Sequence, residues 1–364
     1  MLSCLQVLFM QYLLRMIERI ILHLDSSAPP YTLYASLGKS TLRQTCMSIY
    51  RAHRNDSDPA ERLRVLVGPT AVGKSAVAER LAILFNADIL VADSRQVYRR
   101  MNIGMDKPSP AAQRRATRHL IDLVEPDVPF SAGTYQKVAE AKIAELRAAG
   151  RPFLVEGGTG LYVRALLFGL WEGPPADWAL RRQWQEDEAQ QGPGLLHRRL
   201  AVVDPKSAQA IYPGDLTKVI RALEVHHLTG RPLSDWHRSH RAERRPTQII
   251  GLRRKRDDLY RRVEARVDRQ IAAGLVEETR RFAHLPDDLP SMRGLGYRQM
   301  LPYLRGERSL DESVAILKRD TRRYAKRQMT WFTADPTISW LDLAEDEAVE
   351  TTVERIRKHL IPPA

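Results

Sequence analysis

Short apolar runs that end at a glycine or a carboxylate punctuate the chain from Leu63 onward. Leu63–Val67, Asp88–Ala92, Pro152–Glu156 and Thr247–Leu252 have the length and composition of buried strands. Between them, apolar residues recur at helical spacing over Ala76–Phe85 and Thr134–Ala149, and the second pattern stops at Gly150. Strands alternating with helices of this length join through right-handed βαβ crossovers, so an α/β fold with a parallel sheet flanked by helices is expected. After Phe168 the pattern changes. Trp171-Glu172-Gly173-Pro174-Pro175 breaks the chain, and Gln- and Arg-rich helical stretches follow, Leu216–Leu228 among them. A helical insertion domain over 171–246 is expected, between a first core part (63–170) and a second (247–343). Tyr260–Leu275 reads as one arginine-dense helix, followed by a loop with Pro286 and Pro290. Residues 344–364 are expected to form a tail or helix.

The start of the chain stands apart. Met1–Leu24 is apolar but interrupted by Gln6, Gln11, Arg15, Glu18 and Arg19, with no basic stretch before it. That argues against a signal peptide or a membrane span. Leu5, Phe9, Leu13, Ile17 and Ile20 fall near one helical face, so a weak surface anchor is the sharper alternative. Residues 1–62 are expected to be a poorly ordered N-terminal extension outside the core.

Length and composition narrow the class. A chain of 364 residues suits about two domains, and 43% hydrophobic with 28% charged residues excludes wholesale disorder. Two cysteines, Cys4 and Cys46, cannot build a disulfide framework or a multi-cysteine zinc site, and fit a reducing cytoplasm. The ten histidines are scattered, and His226-His227 lacks ligands at metal spacing. A net charge of +13 points to an anionic partner.

Gly68-Pro69-Thr70-Ala71-Val72-Gly73-Lys74-Ser75 follows the first strand and opens a helix. Its glycines let successive N–H groups turn inward on phosphate oxygens. The helix adds its positive end, Lys74 reaches the terminal phosphate, and the Ser75 hydroxyl suits Mg²⁺. The fold is therefore expected to be P-loop NTPase-like. Asp93, at the end of the second strand, belongs beside this loop, either as a Mg²⁺ holder or as a proton acceptor; its position does not separate the two. Gly157-Gly158-Thr159-Gly160 lets a backbone or ligand approach closely, although an ordinary tight turn would read the same.

Between Arg293 and Thr333 ten Lys/Arg face four Asp/Glu. Arg319, Arg322, Arg323, Lys326 and Arg327 share one helical stripe, with Tyr324 and Trp331 nearby. A stripe of five cations with no acid on it should repel itself unless a polyanion or an acidic surface lies against it; a solvated face is the bland alternative, and nucleic-acid contact is expected.

The ordered segments GPTAVGKS (68–75), ADSRQVYRRMNIG (92–104), HLIDLVEP (119–126), FSAG (130–133), GGTGLY (157–162), RALEVHHLTGRPLS (221–234), MRGLGYRQ (292–299) and YAKRQMTW (324–331) resemble the tRNA dimethylallyltransferases, or tRNA isopentenyltransferases, in their bacterial form. The likeness runs from Leu63 to about Asp342. It implies transfer of a dimethylallyl group from dimethylallyl diphosphate to N6 of the adenosine 3′ of the anticodon (position 37) in tRNA. By the same resemblance Gly68–Ser75 (Gly68, Pro69, Thr70, Ala71, Val72, Gly73, Lys74 and Ser75) bind diphosphate with Mg²⁺ on Ser75. Thr70 touches the bridging oxygen, Arg266 clamps the diphosphate from the other side, and Asp93 accepts the proton. The stretches implied to face the tRNA anticodon stem-loop are Asp93, Ser94, Arg95 and Gln96; Thr159; Arg181; Thr217, Lys218, Val219, Ile220 and Arg221; Arg293, Gly294, Leu295, Gly296, Tyr297 and Arg298; and Lys326, Arg327 and Gln328. A cytoplasmic monomer without a membrane partner is implied. Two departures stand out: Met105 replaces the usual threonine of the I-G-T segment, and Lys218 replaces an arginine, losing its fork geometry. Rival functions on the same core are a small-molecule kinase or ATPase, an adenylate isopentenyltransferase using a free nucleotide, and a bare RNA-binding module.

Overall fold

An apolar strand with no polar face needs cover on both sides, and the sheet receives it. The computed structural model describes residues 62–171, 173–239 and 244–360. The expectations for residues 1–61 lie outside it. Six strands, β1 (Leu63–Val67), β2 (Asp88–Ala92), β3 (Arg118–His119), β4 (Phe153–Gly157), β5 (Thr247–Arg254) and β6 (Ser339–Leu343), form one sheet in the order β3-β2-β4-β1-β5-β6. Every pairing is parallel.

Alternate residues of each strand serve opposite faces. Val65, Val67, Leu90, Val155 and Ile249 pack with Tyr135, Ile143 and Leu146 of α3 (Ala132–Ala148) and with Tyr162 and Leu166 of α4 (Gly160–Phe168). Leu66, Ile89, Val91, Leu154 and Ile250 meet Val77, Ala78 and Leu81 of α1 (Lys74–Leu84) and Ile356 of α14 (Val349–Leu360). A short α2 (Pro110–Arg115) lies between β2 and β3.

From α4 the chain runs through α5 (Trp178–Gln191), α6 (Leu195–Val203), α7 (Pro205–Ala210), α8 (Leu216–Thr229) and α9 (Leu233–Ser239) before β5. These helices share an apolar cluster of their own around Leu196, Leu200, Val219, Ile220 and Val225. Glu224 is fully buried there, accepting hydrogen bonds from the Asp177 amide (2.8 Å), from Arg181 (2.8 and 2.6 Å) and from Arg221. Burial opposes its ionisation, but these bonds outweigh that and hold the carboxyl below the usual range.

After β5 come α10 (Arg256–Ala272), α11 (Leu275–Phe282), α12 (Tyr297–Leu304) and α13 (Leu310–Thr333). The helix expected over Tyr260–Leu275 runs Arg256–Ala272; Gly274, at φ +95°, follows its end, and Leu275 opens the next helix.

Candidate active site

The loops leaving β1, β2 and β4 open at one edge of the sheet, as the carboxyl ends of parallel strands do. With α10 and α13 they enclose a cavity of about 570 Å³. Thr70, Lys74 and Ser75 line it from the phosphate-type loop, Asp93 from the end of β2 and Glu156 from the end of β4. Arg266 closes it from α10, and Arg95, Arg293, Arg298 and Arg327 add positive charge.

Lys74 is buried, and its Nζ donates to the Pro69 carbonyl at 2.9 Å. Burial lowers its pKa, while Glu156 and Asp93 act in the opposite direction. Ser75 Oγ donates to Glu156 Oε1 at 2.9 Å, and Arg118 Nη1 stands 3.8 Å from the other carboxylate oxygen. Arg266 Nη1 donates to Thr70 Oγ1 at 2.6 Å and lies 3.0 Å from Asp106 Oδ2. Asp93 Oδ1 accepts from the Arg95 amide (2.8 Å), and Thr159 Oγ1 accepts from the Ser94 amide (2.9 Å). Tyr324 also lines the cavity; burial pushes its hydroxyl up to about 12, with the Asp93 charge adding to the shift.

Ser75, Lys74, Thr70, Asp93 and Arg266 are therefore brought to one place. Three partners escaped sequence reasoning. Glu156 ends a recognisable strand, so an apolar run closing on a carboxylate was its signal. Asp106 and Glu278, whose carboxylate accepts the amides of Asn102, Ile103 and Gly104, had none, because their roles depend on contacts across the fold. Among the described residues no cluster of three or more His, Cys, Asp or Glu suits a metal. The hydroxyl of Ser75 and the carboxylate of Glu156 form a small, hard-oxygen donor set, which fits Mg²⁺ held chiefly by water and substrate phosphates.

Several residues assigned to tRNA contact are placed otherwise. Val219 and Ile220 are buried in the helical cluster, and Tyr297 is buried with its hydroxyl on Glu278. None offers a side chain to a macromolecule. Gln328 is buried too. Its Oε1 accepts from the Thr70 amide at 2.8 Å and its Nε2 donates to the Gly158 carbonyl at 2.7 Å, so it ties the two loops together. Arg181 and Arg221 turn inward on Glu224, and Lys218 pairs with Asp215 (2.6 Å). Arg181 and Thr217–Arg221 do not line the cavity, whereas Arg95, Gln96, Arg293, Leu295, Arg298 and Arg327 do. Gly294 lies in the loop before α12, and Gly296 is the cap of that helix.

The basic stripe is also corrected. Asp320 accepts from Arg298 (3.2 Å) and Arg319 (3.1 Å) and lies 3.9 Å from Arg323, while Arg322 pairs with Glu264 of α10. Asp320 and Glu264 offset part of the charge over Arg319–Arg323, so acidic side chains already lie against the stripe there. Lys326 and Arg327 remain exposed without an acidic partner among the described residues.

Comparison with known proteins agrees with this arrangement. The model of the IPP transferase family matches residues 96–335. A tRNA dimethylallyltransferase 2 of Syntrophus aciditrophicus (strain SB) is 48% identical over 292 residues, covering 79% of this chain and 94% of that protein. A second, from Geotalea uraniireducens (strain Rf4), is 47% identical over 298 residues, covering 80% and 96%. The crystal structure of the full-length tRNA isopentenylpyrophosphate transferase of Bacillus halodurans is 36% identical, covers 82% of this chain and 97% of its own, and superposes with a TM-score of 0.59. A family model matched over residues 96–335, together with relatives 48% and 47% identical over about four-fifths of the chain, leads to one conclusion: the protein belongs to the IPP transferase family.

Proposed function

We propose that the chain transfers a dimethylallyl group from dimethylallyl diphosphate to N6 of the adenosine immediately 3′ of the anticodon in tRNA. The observation that carries this is one cavity in which a phosphate loop and Arg266 face the Asp93 carboxylate. Loop amides and Lys74 hold the diphosphate, and Arg266 steadies its far side through a guanidinium already hydrogen-bonded to Thr70. As the C1–O bond breaks, the electron pair leaves with diphosphate, and this fixed positive shell stabilises the charge. The N6–C1 bond forms, and Asp93 takes the proton that N6 loses. An adenine amine is a weak nucleophile, so a carboxylate within reach raises its reactivity. When bound beside Ser75 and Glu156, Mg²⁺ would supply further charge neutralisation for the diphosphate.

The reacting base must leave its stack to enter the cavity. Arg293, Lys326 and Arg327 suit the flanking phosphates. No helix among the described residues is long and apolar enough to cross a membrane. A cytoplasmic monomer is the form we assign to the enzyme.

Labelled dimethylallyl diphosphate offered with tRNA or with AMP tests this. Label in tRNA is expected. Label in AMP would make the chain a nucleotide prenyltransferase, and γ-phosphate release from ATP without any transfer would make it a kinase or ATPase.

A further inference from the structure

Arg266 already faces an anion through one of its nitrogens. Its Nη1 is shared between Thr70 Oγ1 (2.6 Å) and Asp106 Oδ2 (3.0 Å), and Asp106 itself lines the cavity. The contact is built from behind. A buried carboxylate, Glu278, accepts the amides of Asn102, Ile103 and Gly104 at 2.9 Å each, and also the Tyr297 hydroxyl. A methyl on Gly104 would stand 2.4 Å from the Tyr297 ring, so the loop lies flat against it. Gln270, one turn beyond Arg266 on the same helix face, donates to the Ile103 carbonyl at 2.8 Å. The helix that carries the arginine thus grips the loop that carries the aspartate. Asp106 adopts φ +50° and leaves about half its side chain (53%) in solvent, with Oδ2 3.0 Å from Arg266 Nη1.

We propose that Asp106 is a positioning residue that occupies Arg266 as an internal anion, so that diphosphate binds by exchange for this carboxylate and departs as the pair re-forms. This rests on the assignment of the loop and Arg266 to diphosphate. Two effects then oppose tight binding: Arg266 must give up one anion for another, and the bound diphosphate sits beside the Asp106 charge. Both vanish when that charge is removed.

Calorimetric titration of the full chain with inorganic diphosphate in the presence of Mg²⁺ provides the test. Asp106→Asn suits a positive φ, which asparagine tolerates well. It is expected to bind diphosphate about 3- to 30-fold more tightly, from a half-exposed ion pair plus a comparable repulsion. KM for dimethylallyl diphosphate should fall in parallel. Asp106→Gly should tighten binding too, whereas Asp106→Glu, which keeps the anion, should stay near wild type. A purely structural role would not tighten binding in any variant. Unchanged or weaker binding in Asp106→Asn, or equal tightening in Asp106→Glu, overturns the proposal while leaving the diphosphate site intact. Absence of diphosphate binding in the wild type would instead overturn the site assignment itself.

Discussion

Gln328 gives the sharpest test of how the cavity is held. Its amide joins two loops from strands that are neighbours in the sheet, accepting from Thr70 N (2.8 Å) and donating to Gly158 O (2.7 Å), with 7% of its surface exposed. Gln328→Met keeps the length and removes both hydrogen bonds. The Gly158 carbonyl is buried and loses its partner outright, at about 1–3 kcal/mol, while the half-exposed Thr70 amide can recover water and costs about 1 kcal/mol. The sum, about 2–4 kcal/mol, corresponds to a Tm lower by about 4–8 °C for a domain of this size. Function should suffer beyond stability, because Thr70 is the residue that Arg266 grips. KM for dimethylallyl diphosphate should therefore rise while tRNA affinity changes little. Thermal unfolding with steady-state kinetics at a temperature well below both transitions separates the effects. A Gln328→Met enzyme within about 0.5 kcal/mol of wild type and with the same KM would show that the tie is incidental.

Asp93→Asn keeps the shape and removes the base, so turnover should fall about 10²-fold or more with tRNA affinity unchanged; near-normal turnover would remove Asp93 from the chemistry. Replacing Lys326 and Arg327 with alanine should weaken tRNA binding and flatten its salt dependence, by up to about 0.7–0.9 log unit for each phosphate that is no longer neutralised. Arg322→Ala should do far less, since Glu264 already neutralises that side chain, and equal slopes for both variants would contradict the pairing. Burial lowers the Lys74 pKa in the folded chain, so the unfolded chain holds the proton more strongly and folding gains as pH rises from the folded value toward 10.5. The stability of wild type relative to Lys74→Met should accordingly improve over that range, and a flat or falling difference would refute the direction.

Four strands could be read directly because each is an apolar run that fills both faces of the sheet. The other two could not. Arg118–His119 is two polar residues whose pairing with β2 comes from position alone, and Ser339–Leu343 is an edge strand alternating with exposed serine and aspartate. The phosphate loop and Asp93 were legible because local spacing sets their geometry. The partial offsetting of the basic stripe was legible only in part: Asp320 stands at i,i+3 from Arg323, but Glu264 reaches Arg322 from another helix and Arg298 reaches Asp320 from another. Gln328 looked like a surface residue among cations; only the two loops it bridges explain its burial.

The order of the strands has a consequence for how the molecule is made. β1 sits in the middle of the sheet, yet its two neighbours are β4 and β5, so Val67 must wait for Gly157 on one side and Gly251 on the other. At about 5–20 residues per second on the ribosome, about 10–40 s separate the synthesis of Val67 from that of Gly251. Throughout that interval the apolar edge of the phosphate-loop strand has no partner on its β5 side. A nascent chain stalled before Thr247 should therefore be captured by chaperones or degraded, and the anion-binding loop should become protease-resistant only after the second half of the core has emerged.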